Sequence, residues 1–308
     1  MSGPGAGAKA AAPDLLLRIA ERRRKRLDEV RSREPGTGSL GSESGLLSAA
    51  DNPFLAALAR GAAVGGTAAA PAAAGGSSAS PATPATPAAP ATPATPATPA
   101  IIAEVKMGSP RLGSLEGRLD PIAQARIYAE NGAAALSVVV EPDFFFGSYE
   151  LLAGCRAASG LPAVAKDFVV DPLQLVWARC AGADAVLLIA ALYEPEELAR
   201  YARLARGLGL APLIETHDAA DVGLLAGEPW ELVGINNRDL RTFAVDLERS
   251  IALLPLLPPG ALKVAESGIR DALDVALLAD SGFDAVLIGE SLLLAEDPAA
   301  RLRALTGR

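Results

Sequence analysis

The chain has 308 residues, half of them apolar and only 4% aromatic, with a formal charge of −8. That length and apolar share admit one large core or two smaller ones, and the acidic balance argues against nonspecific binding to nucleic acid. The single histidine, His217, excludes mechanisms that need a histidine pair, and Cys155 and Cys180 form neither a disulfide framework nor a metal-ligand cluster.

The stretch Met1–Lys9 has no charged n-region and no continuous apolar h-region, so no secretory leader is read. The longest apolar run, Ala185–Leu192, has the length of a buried strand and not of a membrane span, and a cytosolic location is expected. Asp14, after Pro13, stands where a helix cap would, and Leu16, Ile19, Leu27 and Val30 fall on one face, which predicts an amphipathic helix over 14–31. The basic run Arg22–Arg26, flanked by Glu21 and Asp28, reads as the solvated side of that helix. Asn52–Arg60 predicts a short second helix, and 1–60 together form an N-terminal helical extension. Residues 61–100 lose all periodicity and end in a Pro-Ala-Thr repeat from Pro81 to Ala100, whose small side chains cannot bury a core. They read as a disordered insertion, extended where proline is dense, and nothing in them specifies a partner.

From Ile101 onward, short runs of Val, Ile and Leu alternate with Ala/Leu/Arg stretches of helical spacing, the pattern of βα units. Strands are expected near 101–106, 135–141, 163–166, 185–190, 211–215, 232–236, 262–266 and 285–289. Among the helices between them, 195–206 is the clearest, with Pro195 in the first turn, Glu196 and Glu197 after it, and Gly207 at its end. Eight units in about 200 residues predict a (β/α)₈ barrel over 101–308, where an open doubly wound sheet would show a glycine-rich first turn.

In such a barrel the chemistry sits at the C-terminal ends of the strands. Those ends carry Glu104 and Lys106, Glu141, Lys166 and Asp167, Glu215, Asn236 to Arg238, and Glu266 with Ser267. Strand alternation points Glu104 and Lys106 the same way, into the mouth. Lysines and carboxylates crowded there perturb one another's pKa values, which makes acid and base roles available near neutral pH. His217 reads as a loop residue. After the last two strands, Ser267-Gly268-Ile269 and Gly289-Glu290-Ser291 offer small residues and backbone N–H groups where this fold often binds phosphate.

These residues spell out ordered motifs: Ile102–Lys106 followed by Ser109-Pro110, Phe145 with Gly147–Glu150, Lys166–Phe168, Leu213–Glu215, Gly234–Leu240, Val264–Ile269 and Leu287–Gly289. In them the chain resembles the indole-3-glycerol-phosphate synthase family over essentially all of 101–308. The helix at 14–31 and Asn52-Pro53-Phe54 look like that family's extension over the barrel mouth. The resemblance implies ring closure of 1-(2-carboxyphenylamino)-1-deoxyribulose 5-phosphate with loss of CO₂ and water, without metal, redox cofactor or pyridoxal. It implies Lys166 as the acid for the carbonyl oxygen, Lys106 facing the substrate carboxylate or sharing the relay, and Glu215 as the carboxylate for the later proton transfers. Glu104, Asn236 and Glu266 would orient the lysines and sugar hydroxyls, Phe145 would pack on the anthranilate ring, and Arg238 would be a second partner for its carboxylate. Ser109, Ser267, Gly268, Gly289 and Glu290 fall at the phosphate positions, Glu290 through its backbone N–H alone.

The chain departs from the family pattern at Met107–Leu112, where further lysines are usual, at Val140, where threonine is common, at Phe146, and in the Pro-Ala-Thr insertion. Two other readings fit parts of the pattern. A phosphoribosylanthranilate isomerase-like barrel would carry a cysteine on strand one and an aspartate on strand six, where Glu104, Lys106 and Asn236 stand. A catalytically silent barrel binding a phosphorylated ligand would leave Lys106, Lys166 and Glu215 as buried charges without a use.

Overall fold

The computed structural model describes residues 14–33, 47–48, 50–63, 98–110, 112–239, 242 and 244–307. Eight parallel strands close into a barrel: β1 (Ala100–Val105), β2 (Ala135–Val139), β3 (Ala163–Lys166), β4 (Ala185–Ile189), β5 (Ala211–Thr216), β6 (Leu232–Asn236), β7 (Leu262–Glu266) and β8 (Ala285–Ile288). Each pairs with the next, and the ring closes with Ala100 beside Ala285 and Ala103 beside Ile288. The expected (β/α)₈ fold is present, each strand within two residues of its expected bounds. A two-stranded hairpin, Gly108–Ser109 with Gly113–Ser114, adds to the loop after β1.

The helices that cover the outside are α3 (Pro121–Glu130), α4 (Tyr149–Ser159), α5 (Pro172–Cys180), α6 (Pro195–Gly207), α7 (Ala219–Gly223), α8 (Leu247–Leu253), α9 (Ala272–Ser281), α10 (Glu290–Leu293) and α11 (Pro298–Thr306). Most start at a side-chain cap, as at Asp120, Ser148, Asp171 and Asp271, which satisfies first-turn N–H groups and fixes where each loop turns back to the sheet. Outward strand residues such as Val138, Leu188 and Ile235 bury against these helices in one core, while inward residues such as Ile102, Val164, Leu187 and Leu213 form a second core inside the barrel.

The N-terminal extension divides between the two ends of that inner core. Helix α1 (Asp14–Arg33) lies at the mouth, where Leu16 joins the inner core. Helix α2 (Pro53–Ala63) closes the opposite end, a correction to the expectation that Asn52-Pro53-Phe54 lies over the mouth. Its reason is steric: five strands begin with inward alanines, Ala100, Ala135, Ala185, Ala211 and Ala285, and Phe54, Leu55 and Leu58 pack into the room these leave. Asn52 locks the plug by accepting the N–H groups of Phe54 and Leu55 at 2.9 and 3.2 Å. Its Nδ2 donates to the carbonyls of Asp184 and Gly209, at the start of β4 and β5, at 2.7 and 3.1 Å. Asn52→Ala removes a helix cap and the side-chain donor to the Gly209 and Asp184 carbonyls, the latter keeping the Ala211 N–H, so urea unfolding is expected to show a loss of about 2 kcal/mol with kcat unchanged.

A second correction concerns the basic run. Arg22, Arg24, Lys25 and Arg26 are exposed, but Arg23 is 3% exposed and points inward. It falls at i+4 from Ile19 and i−4 from Leu27, on the apolar stripe itself. The expected lack of structure over 61–100 is corrected at its two ends, where residues 61–63 continue α2 and Ala100 opens β1; residues 64–97 lie outside the described residues.

Candidate active site

The mouth of the barrel opens into a cleft of about 1840 Å³. Of the residues singled out from sequence, Glu104, Lys106, Ser109, Phe145, Lys166, Glu215, Asn236, Arg238, Ser267, Gly268, Gly289 and Glu290 line it. Glu266 lies beneath, 1% exposed, and reaches the cleft through Lys166.

Lys166 is the hub. Its Nζ donates to Glu215 Oε2 at 3.0 Å and Glu266 Oε2 at 2.8 Å, tying the ends of β3, β5 and β7 together across the barrel. Burial disfavours its charge, yet Glu215, Glu266 and Glu104 outweigh that and hold it above the ordinary lysine range. Burial likewise opposes ionisation of Glu215, but Lys166 and His217 hold its carboxyl well below the usual value. At Glu266 burial, aided by Glu215, outweighs Lys166 and pushes the carboxyl up to about 7. On the neighbouring wall Lys106 Nζ donates to Glu104 Oε1 at 2.8 Å. Burial raises Glu104, while Lys106 and Lys166 more than reverse it and leave it lowered.

Two glycines make space for these carboxylates. A Cβ at Gly234 would stand 2.2 Å from Glu266 Oε1, and one at Gly289 would stand 2.3 Å from Glu104 Oε1. Any larger residue at Gly234 or Gly289 would push a carboxylate away from its lysine.

At the phosphate loops, Ser267 and Gly268 are both left-handed, at φ 66° and 82°, which turns the chain sharply after β7. Arg238 Nη2 sits 3.1 Å from Glu290 Oε2, so the structure pairs it with a residue of the phosphate loops. Phe145 faces Phe168, ring centroids 6.0 Å apart, and the two form an aromatic wall of the cleft. Phe146, one of the departures from the family pattern, is 44% exposed and stacks over Gly108, whose Cβ would fall 2.5 Å from its ring. Val140, another departure, packs into the outer core.

Some charged strand ends serve the frame. Glu141 accepts the N–H groups of Asp143, Phe144 and Phe145 at 2.7 to 3.0 Å and so shapes the turn that presents Phe145. Asp167, facing away from Lys166, takes Arg23 Nη2 at 2.6 Å, Tyr149 Oη at 2.9 Å and Gln174 Nε2 at 2.9 Å. His217, read from sequence as a loop residue, is 8% exposed beside Glu215. Its Nε2 is 3.2 Å from Glu215 Oε1, an ion-pair distance off hydrogen-bond alignment, and its Nδ1 is 3.3 Å from Asp221 Oδ2.

Residues 79–305 match the family model described as indole-3-glycerol phosphate synthase. The chain belongs to that family. Among relatives, the indole-3-glycerol phosphate synthase of Carboxydothermus hydrogenoformans is 46% identical over 206 residues, covering 67% of this chain and 78% of its own. That of Microcystis aeruginosa is 46% identical over 211 residues, covering 67% and 71%. The solved 3-hexulose-6-phosphate synthase of Salmonella typhimurium has a TM-score of 0.54 over 68% of this chain and 97% of its own at 15% identity, a likeness of fold alone. His217 does lie in the loop just after β5, as expected; what sequence reading missed in this barrel is its burial beside Glu215, whose one signal was its place two residues further along the chain.

Proposed function

We propose that this cleft closes the pyrrole ring of 1-(2-carboxyphenylamino)-1-deoxyribulose 5-phosphate, giving indole-3-glycerol phosphate, CO₂ and water. The observation that carries the reading is Lys166, a half-buried ammonium held at the cleft by Glu215 and Glu266. The sugar phosphate is received by the backbone of Ser267, Gly268, Gly289 and Glu290 with Ser109, and Arg238, beside Glu290, is a cation at those loops. The anthranilate ring lies on Phe145 and Phe168, and its carboxylate faces Lys106.

The aromatic carbon bearing the carboxylate attacks the ribulose carbonyl carbon. The carbonyl oxygen, as it gains charge, takes a proton from Lys166. Loss of CO₂ returns the electron pair of the carboxylate bond to the ring. The new hydroxyl then takes up a proton and leaves as water, and the ring carbon beside the nitrogen gives one proton to Glu215, so the step is proton-neutral and restores the aromatic indole. Glu104 and Asn236 orient Lys106 and the sugar hydroxyls.

Incubating the purified protein with this substrate should produce indole fluorescence; absence of product would overturn the assignment. On this reading the protein works in the cytoplasm on a free metabolite, without nucleic acid or membrane. Its charge of −8 supports that, and no helix among the described residues is long and apolar enough to cross a membrane. We also propose that 61–100 takes no part in the chemistry. Deleting 67–98 should leave kcat within about threefold, because the insertion offers no apolar periodicity to pack on the barrel.

A further inference from the structure

One cluster at the mouth gathers three cationic side chains, Lys106, Lys166 and His217, against four carboxyl groups, Glu104, Glu215, Glu266 and Asp221. His217 meets a carboxylate oxygen at each ring nitrogen, 3.2 Å at Nε2 and 3.3 Å at Nδ1. A neutral imidazole has one N–H, so one nitrogen would turn its lone pair onto a buried carboxylate oxygen. The imidazolium alone has a proton for both. Glu215 correspondingly faces a cationic group at each oxygen, His217 at Oε1 by ion-pair distance and Lys166 at Oε2 by a hydrogen bond. Glu266 meets a cation at Oε2 only, and its Oε1 is buried without a hydrogen-bond partner. Three cations balance three carboxylates, and the fourth carboxyl costs least as the neutral acid.

We propose that His217 is a positioning residue: as a buried imidazolium it pins Glu215 as an oriented carboxylate beside Lys166 and leaves Glu266 as the carboxyl that holds and exchanges the proton of the cluster. This rests on the reading that Lys166 and Glu215 act on the substrate. The electrostatics agree, since burial alone would lower His217 but Asp221 and Glu215 push it up to about 10. The groups facing it are Glu215 on β5 and Asp221 on α7, and beyond Glu215, Lys166 on β3, Glu266 on β7 and Glu104 on β1.

His217 is the one histidine of the chain, so its ring resonances are unambiguous in the intact protein. Nitrogen-15 NMR should find both ring nitrogens protonated from pH 5 to 9; a midpoint near the ordinary value of 6.5 overturns the proposal whether or not the protein turns over substrate. Asp221→Asn, which keeps the histidine, should lower that midpoint, and an unmoved midpoint refutes its part in the clamp. His217→Gln should reduce kcat by about 10- to 100-fold with KM little changed. It should also raise the acid limb of the kcat profile, as Glu215 loses one of its two cations, and His217→Lys should recover part of both. Equal losses in the Gln and Lys variants with an unmoved acid limb would mean that His217 only fills space. Because the folded value exceeds the unfolded one, its contribution to stability is whole below about pH 6.5 and lost as pH rises through about 10. The difference in unfolding midpoint between parent and His217→Gln should shrink over that window; a constant difference counts against the charge.

Discussion

Lys166→Met is expected to lower kcat by about 10² to 10⁴-fold while leaving the affinity for product or inorganic phosphate close to that of the parent. Methionine keeps the length of the side chain and removes the donor at the carbonyl oxygen, and the phosphate loops lie on β7 and β8, away from the end of β3. The substitution also leaves Glu215 and Glu266 without their shared cation. Glu215 retains His217, so Glu266 takes the proton and its value climbs above the present value of about 7. A carboxyl raised on folding adds stability at low pH that is lost as pH climbs from about 4.5 through its folded value. Urea unfolding of the variant should therefore weaken more steeply between pH 5 and 9 than that of the parent. A kcat within tenfold of the parent, or an unchanged slope against pH, contradicts this account. Lys106→Met is expected to act differently, raising KM more than it lowers kcat, because the substrate carboxylate it faces is present before the reaction begins. Identical profiles for the two variants would make the lysines one coupled relay.

The barrel was readable because each strand is a short apolar run, six of the eight closed by a polar residue, and alternation then decides which of those residues face the mouth. Lys166, Glu215 and Glu266 emerge from that rule alone, since Val164, Leu213 and Val264, two residues before each, are inner-core side chains. The same rule is blind to what a charged strand end does once there. Glu141 satisfies it equally well, yet it holds its own turn, and Asp167, on the other side of the strand beside outer-core Ala165, faces a helix from the far end of the chain. Contacts across long sequence separations stayed hidden. Asn52 finds its carbonyls 132 and 157 residues away, and no local pattern says whether a short apolar helix caps the top or the bottom of a barrel. The five alanines that open the strands were the available clue. They leave a hole only at the N-terminal end, and the hole needs a plug.

Arg23→Met should have the largest effect outside the lysine cluster. Arg23 and Asp167 are 3% and 1% exposed, joined through Nε at 3.1 Å and Nη2 at 2.6 Å. Removing the guanidinium leaves a buried carboxylate with Tyr149, Gln174 and the Phe168 N–H as its partners, which is expected to cost about 3–5 kcal/mol. The consequence for function follows from where the pair sits. Asp167 is the neighbour of Lys166, and Arg23 is the one buried charge among the described side chains of the helix whose Leu15, Leu16, Arg18 and Ile19 line the cleft. Loosening α1 should open the mouth to water and raise KM. Stability and binding separate in the double variant Arg23→Met/Asp167→Asn, which removes the unpaired charge but not the loss of the strap. It should regain much of the unfolding free energy while KM stays high. If KM returns with stability, α1 contributes to the fold alone, and the substrate is held by the barrel loops without it.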